Sequence, residues 1–213
     1  MIRNIFANHG ITITEEQEQK LNQYYDLLID WNNKINLTSI VEYEEVIWKH
    51  FLDSAFFVSC DKVDLKEKKT VLDLGTGAGF PGMVLAILCP DYEFVLADSL
   101  NKRIEFLKVV INRLQIHNVS VIHGRAEELG RNENFRNQFD YVVSRAVAEL
   151  PVLLEYCIPF VKKGGYFVSY KSRRLDEEIE NAENALNMLY TKYEKKYKYE
   201  LEYDHSERYL VFF

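Results

Sequence analysis

Cysteine is scarce in this 213-residue chain. Cys60, Cys89 and Cys157 are odd in number, widely spaced and never form a C-x-x-C pair. That pattern argues against a disulfide framework or a cysteine-bound metal, and for three reduced thiols in a cytoplasmic protein. Four prolines and nine glycines leave no low-complexity tract, and no internal repeat is present. No apolar run is long enough to span a bilayer, so no membrane partner is expected. Residues Met1-Ile2-Arg3-Asn4-Ile5-Phe6 lack the apolar core of a signal peptide. No metal-ligand cluster and no compelling Ser-His-Asp order appears, so no metal is expected. An excess of basic charge is missing too, because the formal net charge is −7. Chains that bind nucleic acid non-specifically are usually basic. Action on RNA therefore requires basic residues gathered on one face, or a folded ribonucleoprotein that supplies much of the recognition. The hydrophobic fraction, 47%, excludes disorder, and the length suffices for one well-buried domain plus an extension.

What is present is concentrated in residues 71–82, Val-Leu-Asp-Leu-Gly-Thr-Gly-Ala-Gly-Phe-Pro-Gly. A short apolar strand carries one acid, Asp73. Gly75, Gly77 and Gly79 follow at alternate positions, then Pro81 and the apolar run 83–88. Strand, glycine turn and helix in that order open a nucleotide-binding α/β unit. In a shifted frame Gly77, Gly79 and Gly82 spell G-x-G-x-x-G, and Asp98 stands where a ribose-binding acid belongs. A nicotinamide-dependent oxidoreductase is thus one reading. Two points weigh against it. A pyrophosphate sits on free N–H groups at a helix N-terminus, and Pro81 removes one. Asp73 would repel a pyrophosphate at the mouth of the site, but suits a ligand with an ammonium and a sulfonium. S-adenosyl-L-methionine is such a ligand, with the Gly75–Phe80 turn, Gly77 included, for close approach and Asp98 for its ribose.

Residues 1–69 read as a helical extension packed on the core. Thr14 and Gln17 form a capping box, and Leu21, Tyr24, Tyr25, Leu28 and Trp31 recur at helical spacing. A second amphipathic helix carries Val46, Ile47, Phe51 and Ala55 on one face. Residues 70–213 alternate strands and helices. Strands are expected over 71–74, 94–97, 119–123, 141–143, 166–170, 199–203 and 209–213, with a helix over 175–193. The last two strands have no helix between them and read as an antiparallel hairpin. The architecture is α/β: a mostly parallel seven-stranded sheet of the Rossmann-like class I methyltransferase type, ending in that hairpin.

Open α/β sheets bind ligands at the carboxyl ends of their strands. Gly75 to Phe80 follow the first strand, and Asp98 the second. Arg125, Ala126 and Glu127 follow the third, Ser144 and Arg145 the fourth, and Lys171, Ser172, Arg173 and Arg174 the fifth. An acidic edge merging into a basic one suits a cationic cofactor beside an anionic substrate. Each residue also has a plainer role. Asp98 can cap a helix, Glu127 can be a solvated charge, and Arg145 can form a buried ion pair with Asp73 or Glu127. Lys171 to Arg174 can be a solvated loop. His50 and Asp53 can pair on one helix face, and Lys195-Lys196-Tyr197-Lys198 reads as surface before the hairpin.

Four segments occur in order: Asn36-Leu37-Thr38-Ser39-Ile40, His50-Phe51-Leu52-Asp53-Ser54, the 73–82 turn, and Ser144-Arg145-Ala146-Val147-Ala148. Over essentially its whole length the chain resembles the bacterial 16S ribosomal RNA (guanine-N7) methyltransferase G family, also called the glucose-inhibited division protein B family. The resemblance implies methylation of guanine N7 in 16S rRNA of the small ribosomal subunit or its precursor, from S-adenosyl-L-methionine. It places cofactor contacts on Gly75, Phe80, Ala126, Glu127 and Arg145. N7 attack needs no general base, so Arg145 and Lys171 are positioning candidates and no residue is assigned as base. A ribosome-binding protein without activity is the other alternative. The chain departs from the family at Tyr170-Lys171-Ser172, where Lys-Gly is usual, and it ends at Phe213 without a basic tail.

Overall fold

The structure is a computed structural model describing residues 1–172 and 175–213. Arg173 and Arg174, placed after the fifth strand by the sequence, lie outside the described residues. Seven strands form one sheet: β1 (Thr70–Leu74), β2 (Glu93–Asp98), β3 (Val119–His123), β4 (Phe139–Arg145), β5 (Val161–Lys171), β6 (Lys195–Leu201) and β7 (Ser206–Phe212). Their order is β3-β2-β1-β4-β5-β7-β6. The first five run parallel, and β7 is antiparallel to both β5 and β6. The order reverses between β1 and β4, which opens a crevice at their carboxyl ends. Ser144 Oγ donates to the Leu74 carbonyl at 2.8 Å and ties the two ends together.

Ten α-helices and three irregular turns accompany the sheet among the described residues. The first part of the chain holds α1 (Ile2–Asn8), α2 (Glu15–Ile35), α3 (Tyr43–Val46) and α4 (Asp53–Ala55). A π-helical turn, Ile47–Leu52, joins α3 to α4, and a 3-10 turn, Phe56–Ser59, follows. Between strands lie α5 (Gly82–Leu88), α6 (Asn101–Leu114), α7 (Ala126–Leu129) and α8 (Leu150–Cys157). α9 (Leu175–Asn181) and α10 (Glu183–Met188) precede the hairpin.

Two apolar clusters fill the two sides of the sheet. Leu21, Tyr24 and Leu28 from α2 join Phe51, Met83, Phe106 and Leu210 in one. Leu72, Val142, Leu153, Phe167 and Ala185 belong to the other. The N-terminal helices therefore share their core with the sheet. The capping box forms as the spacing predicts, with Gln17 N donating to Thr14 Oγ1 and Thr14 N to Gln17 Oε1. All three cysteines are buried free thiols. No described helix is long and apolar enough to cross a membrane, and no metal-binding cluster occurs among the described residues.

Several boundaries differ from the sequence expectation: β4 extends beyond 141–143, β7 starts before 209, and a π-helical turn breaks the second helix. β5 starts at Val161, not at 166, because it pairs with β4 from Phe139 onward, with a bulge at the Gly164-Gly165 level opposite Asp140. β6 starts at Lys195, so the basic run is itself the outer strand. Lysines along an edge strand discourage pairing with another chain. The predicted 175–193 helix divides into α9 and α10 around Ala182.

Candidate functional site

The glycine turn is held by its own backbone, by the end of β2 and by three side chains. Gly75 N and Thr76 N both donate to the Ala97 carbonyl, at 2.9 and 3.1 Å, and Gly79 N and Phe80 N to Thr76 at 2.9 Å each. The first donor of α5, Gly82 N, goes to Asp73 Oδ2 at 2.7 Å, and Met83 N to Gly79 O at 2.8 Å. These helix donors are therefore not free for a pyrophosphate, a stronger reason than the loss of one N–H at Pro81. Gly75, Gly77 and Gly79 all have positive φ, at 73°, 61° and 100°. Around a Cβ built on Gly77 there is nothing within 4 Å. A ligand can reach the main chain there.

Asp73 is fully buried beneath the turn, not at the mouth of the site as the sequence suggests. Its Oδ2 also accepts from Thr76 Oγ1 at 2.7 Å, while Oδ1 finds no donor among the described residues. Burial pushes its carboxyl up to about 6, against the hydrogen bonds from Thr76 and Gly82 and the nearby Arg145 charge. The folded form therefore binds this proton more tightly than the unfolded chain does. Its stabilising effect is complete below about pH 3.8, fades as pH rises through about 6, and is absent above. Asp73→Asn removes this titration. The variant is expected to gain on the wild type by on the order of 3 kcal/mol between acid and neutral pH. Urea unfolding of both proteins across that range checks it; parallel curves would refute the assignment.

Asp98 ends β2, next to the turn. Its carboxylate accepts from Gly77 N and Leu100 N, both at 2.9 Å, and pairs with Arg103 at 3.1 Å. It thus braces the glycine turn. It does not cap α6 by its side chain, since the cap residue is Leu100. A cleft of about 360 Å³ opens beside it, lined by Gly75, Asp98, Ser99, Ala126, Glu127 and Val147 among others. Ala126 begins α7 and Glu127 is exposed in its first turn. The sequence-predicted Gly75, Asp98, Ala126 and Glu127 are therefore brought together. Phe80 is not among them. Its ring is buried, stacked on His50 at 4.3 Å with Tyr24 at 5.4 Å, and the Arg145 guanidinium lies 5.4 Å from its centre.

A second hollow of about 420 Å³ lies across Ala146 and Val147. Its lining includes Ile40, Lys49, Arg145, Tyr170, Lys171 and Arg208. Ala146, which has a left-handed φ of 57°, lines this hollow, and Val147 lines the first. Arg145 pairs neither with Asp73 nor with Glu127. Nη1 donates to Asp53 Oδ2 at 2.6 Å and to the Lys49 carbonyl at 3.2 Å, and Nη2 contacts His50 Nδ1 at 3.2 Å. His50 and Asp53 do not pair with each other; both turn to Arg145. The π-helical turn precedes Asp53 and contains Lys49 and His50, and such turns are frequent at functional sites. Tyr199 from β6 donates to Asp53 Oδ1 at 2.8 Å, and Arg208 Nε lies 3.9 Å from the same oxygen.

Lys171 closes β5 and is not in a solvated loop. Its side chain is 9% exposed, with Nζ 2.6 Å from Glu178 Oε2 and 3.4 Å from the Ala148 carbonyl. An ammonium matched by a carboxylate at that distance is not a free cation for RNA phosphate. Sequence reasoning also missed Tyr24, whose hydroxyl donates to the Ala78 carbonyl within the glycine turn. It treated the aromatic stripe of α2 as core alone. His50 and Asp53 did leave a signal, as members of the 50–54 segment.

A family model described as rRNA small subunit methyltransferase G matches residues 17–205. A relative from Lachnoclostridium phytofermentans, named ribosomal RNA small subunit methyltransferase G, is 52% identical over 202 residues, covering 95% of this chain and 83% of its own length. The solved structure of a SAM dependent methyltransferase from Aquifex aeolicus matches with a TM-score of 0.57 at 18% identity, over 80% of this chain and 93% of that one. Fibrillarin from Aeropyrum pernix, solved with natively bound S-adenosyl-L-methionine, matches with a TM-score of 0.57 at 16% identity, over 76% and 74% of the two chains. The fold is thus that of the class I methyltransferases. With a family model spanning most of its length and a relative sharing more than half its aligned residues, the chain belongs to the rRNA small subunit methyltransferase G family.

Proposed function

We propose that this protein methylates N7 of one guanine in the 16S RNA of the small ribosomal subunit, using S-adenosyl-L-methionine. The observation that carries this reading is the pairing of two hollows at the β1/β4 switch point, in a chain 52% identical to a named ribosomal RNA small subunit methyltransferase. One is walled by an open glycine turn and carboxylates, the other by Lys49, Arg145 and Arg208. The first fits a nucleoside with a positively charged arm. Gly77 allows main-chain approach, Asp98 and Glu127 supply acids, and Ala126 leaves room for a flat base. When bound, the cofactor supplies an electrophilic methyl group on a sulfonium.

The protein's own groups position the partners. Guanine N7 carries a lone pair on the edge not used in Watson–Crick pairing, so it attacks without losing a proton. No general base is needed, and the candidates that line the second hollow are engaged: Asp53 by Arg145 and Tyr199, Glu178 by Lys171. His50 has both ring nitrogens engaged. Burial and the Arg145 charge push its pKa down to about 3. Alignment and electrostatics remain as the source of rate. The net charge of −7 gives little non-specific RNA affinity, so the folded subunit or its precursor is the substrate rather than a short naked loop.

The test uses small subunits from a strain lacking this gene, purified protein and labelled cofactor. Expected is label in one guanine, mapped as N7-methylguanine, with much slower transfer to the isolated loop. Label on an exocyclic amine, or equal rates on both substrates, would overturn the proposal.

A further inference from the structure

Arg145 is always charged and has donors only. The atom it meets on His50, Nδ1, must therefore be an acceptor and carry no proton. The remaining ring nitrogen, Nε2, then bears the hydrogen and donates to Thr38 Oγ1, 3.0 Å away. Thr38 Oγ1 is itself fixed by the Ile40 N–H at 3.1 Å. The ring lies nearly parallel to Phe80, at 17°; a half-turn keeps that stack but carries both nitrogens away from Arg145 and Thr38. A single orientation and a single tautomer satisfy all these contacts.

From this geometry we infer that His50 is a positioning residue: as the Nε2–H tautomer, anchored by Thr38, it holds the Arg145 guanidinium in the plane in which it lines the second hollow. Asp53 supplies the charge match, but a carboxylate on one Nη leaves the guanidinium free to swing. The Lys49 carbonyl lies on that same nitrogen. The contact to Nη2 is the one that fixes the fork. The ring's neutrality agrees, since a protonated imidazole would present a donor to a donor. The inference rests on the methyl-transfer reading above.

Two variants separate positioning from packing. Both lose the ring and its stack on Phe80. His50→Asn places an amide oxygen near the position of Nδ1 and keeps an acceptor for Arg145. His50→Gln places an amide nitrogen near the position of Nε2, keeping the Thr38 contact and losing the acceptor. Single-turnover methylation of small subunits is expected to fall about tenfold to hundredfold in His50→Gln, the range for one hydrogen bond to a charged group. It should stay within about threefold of wild type in His50→Asn. Melting temperatures of the two should be alike. Nitrogen NMR of the His50 ring, in the protein alone, should find the proton on Nε2. Equal rates for the two variants, or a proton on Nδ1, would overturn the inference. If the wild type transfers no methyl group, the failure belongs to the functional reading, and the ring-nitrogen measurement still decides the tautomer.

Discussion

Asp53→Ala is expected to lower folding stability by about 3–5 kcal/mol, the usual effect of removing one partner from a buried ion pair. Asp53 is 4% exposed, and its two oxygens receive Arg145 and Tyr199. The substitution leaves a largely buried guanidinium without its counter-charge and a phenol hydroxyl without its acceptor. Urea unfolding gives the magnitude. A second variant separates stability from function. Asp53→Leu with Arg145→Met replaces both charges by apolar groups of similar size, and such swaps are often neutral. The double variant should fold within about 2 kcal/mol of wild type yet transfer no methyl group. If it regains activity with stability, the pair is scaffolding and nothing more.

Gly79→Ala should be the most damaging single change in the glycine turn, and Gly77→Ala the most informative. A Cβ on Gly79 would lie 2.3 Å from the Tyr24 hydroxyl, 2.9 Å from Leu107 Cδ2 and 3.0 Å from Met83 Cβ, at a φ of 100°. Strain and overpacking together should remove about 3 kcal/mol. Gly77 has φ 61° and open space around its Cα, so only the left-handed cost of about 1 kcal/mol applies. The added methyl nevertheless stands where a ligand would approach the chain. Cofactor affinity should fall at least about tenfold in a protein that still melts cooperatively. Calorimetric titration and thermal melts of both variants provide the check. A Gly77→Ala protein with wild-type affinity would move the cofactor away from this turn.

These outcomes depend on contacts of different reach, and reach decides what can be read from a chain. The strand-turn-helix of residues 71–88, the capping box at Thr14 and the alternation of strands and helices are local. Side-chain period and turn chemistry act over a few neighbouring residues, so they are written in consecutive letters. Tertiary pairing moved the strand limits beyond what those letters show. The strand expected over 166–170 begins at Val161 and runs through Gly164 and Gly165 because β4 lies beside them. Lys195 to Lys198 lie at the surface, as their charge suggests, and they also pair as an edge strand because β7 supplies the partner.

Fold class, glycine turn and the residues that end each strand are written in local order along the chain. What those residues do to one another follows from long-range packing. Arg145 meets Asp53 across 92 residues of chain, and Tyr199 meets the same carboxylate across 146. No local period links such positions. The partners are chosen by the packing of α2, the π-helical turn and the terminal hairpin against the sheet. That packing buries Asp73 beneath the turn, matches Lys171 to Glu178 and stacks His50 on Phe80. A buried charge takes whichever counter-charge the fold delivers, because leaving it unpaired is too unfavourable to persist.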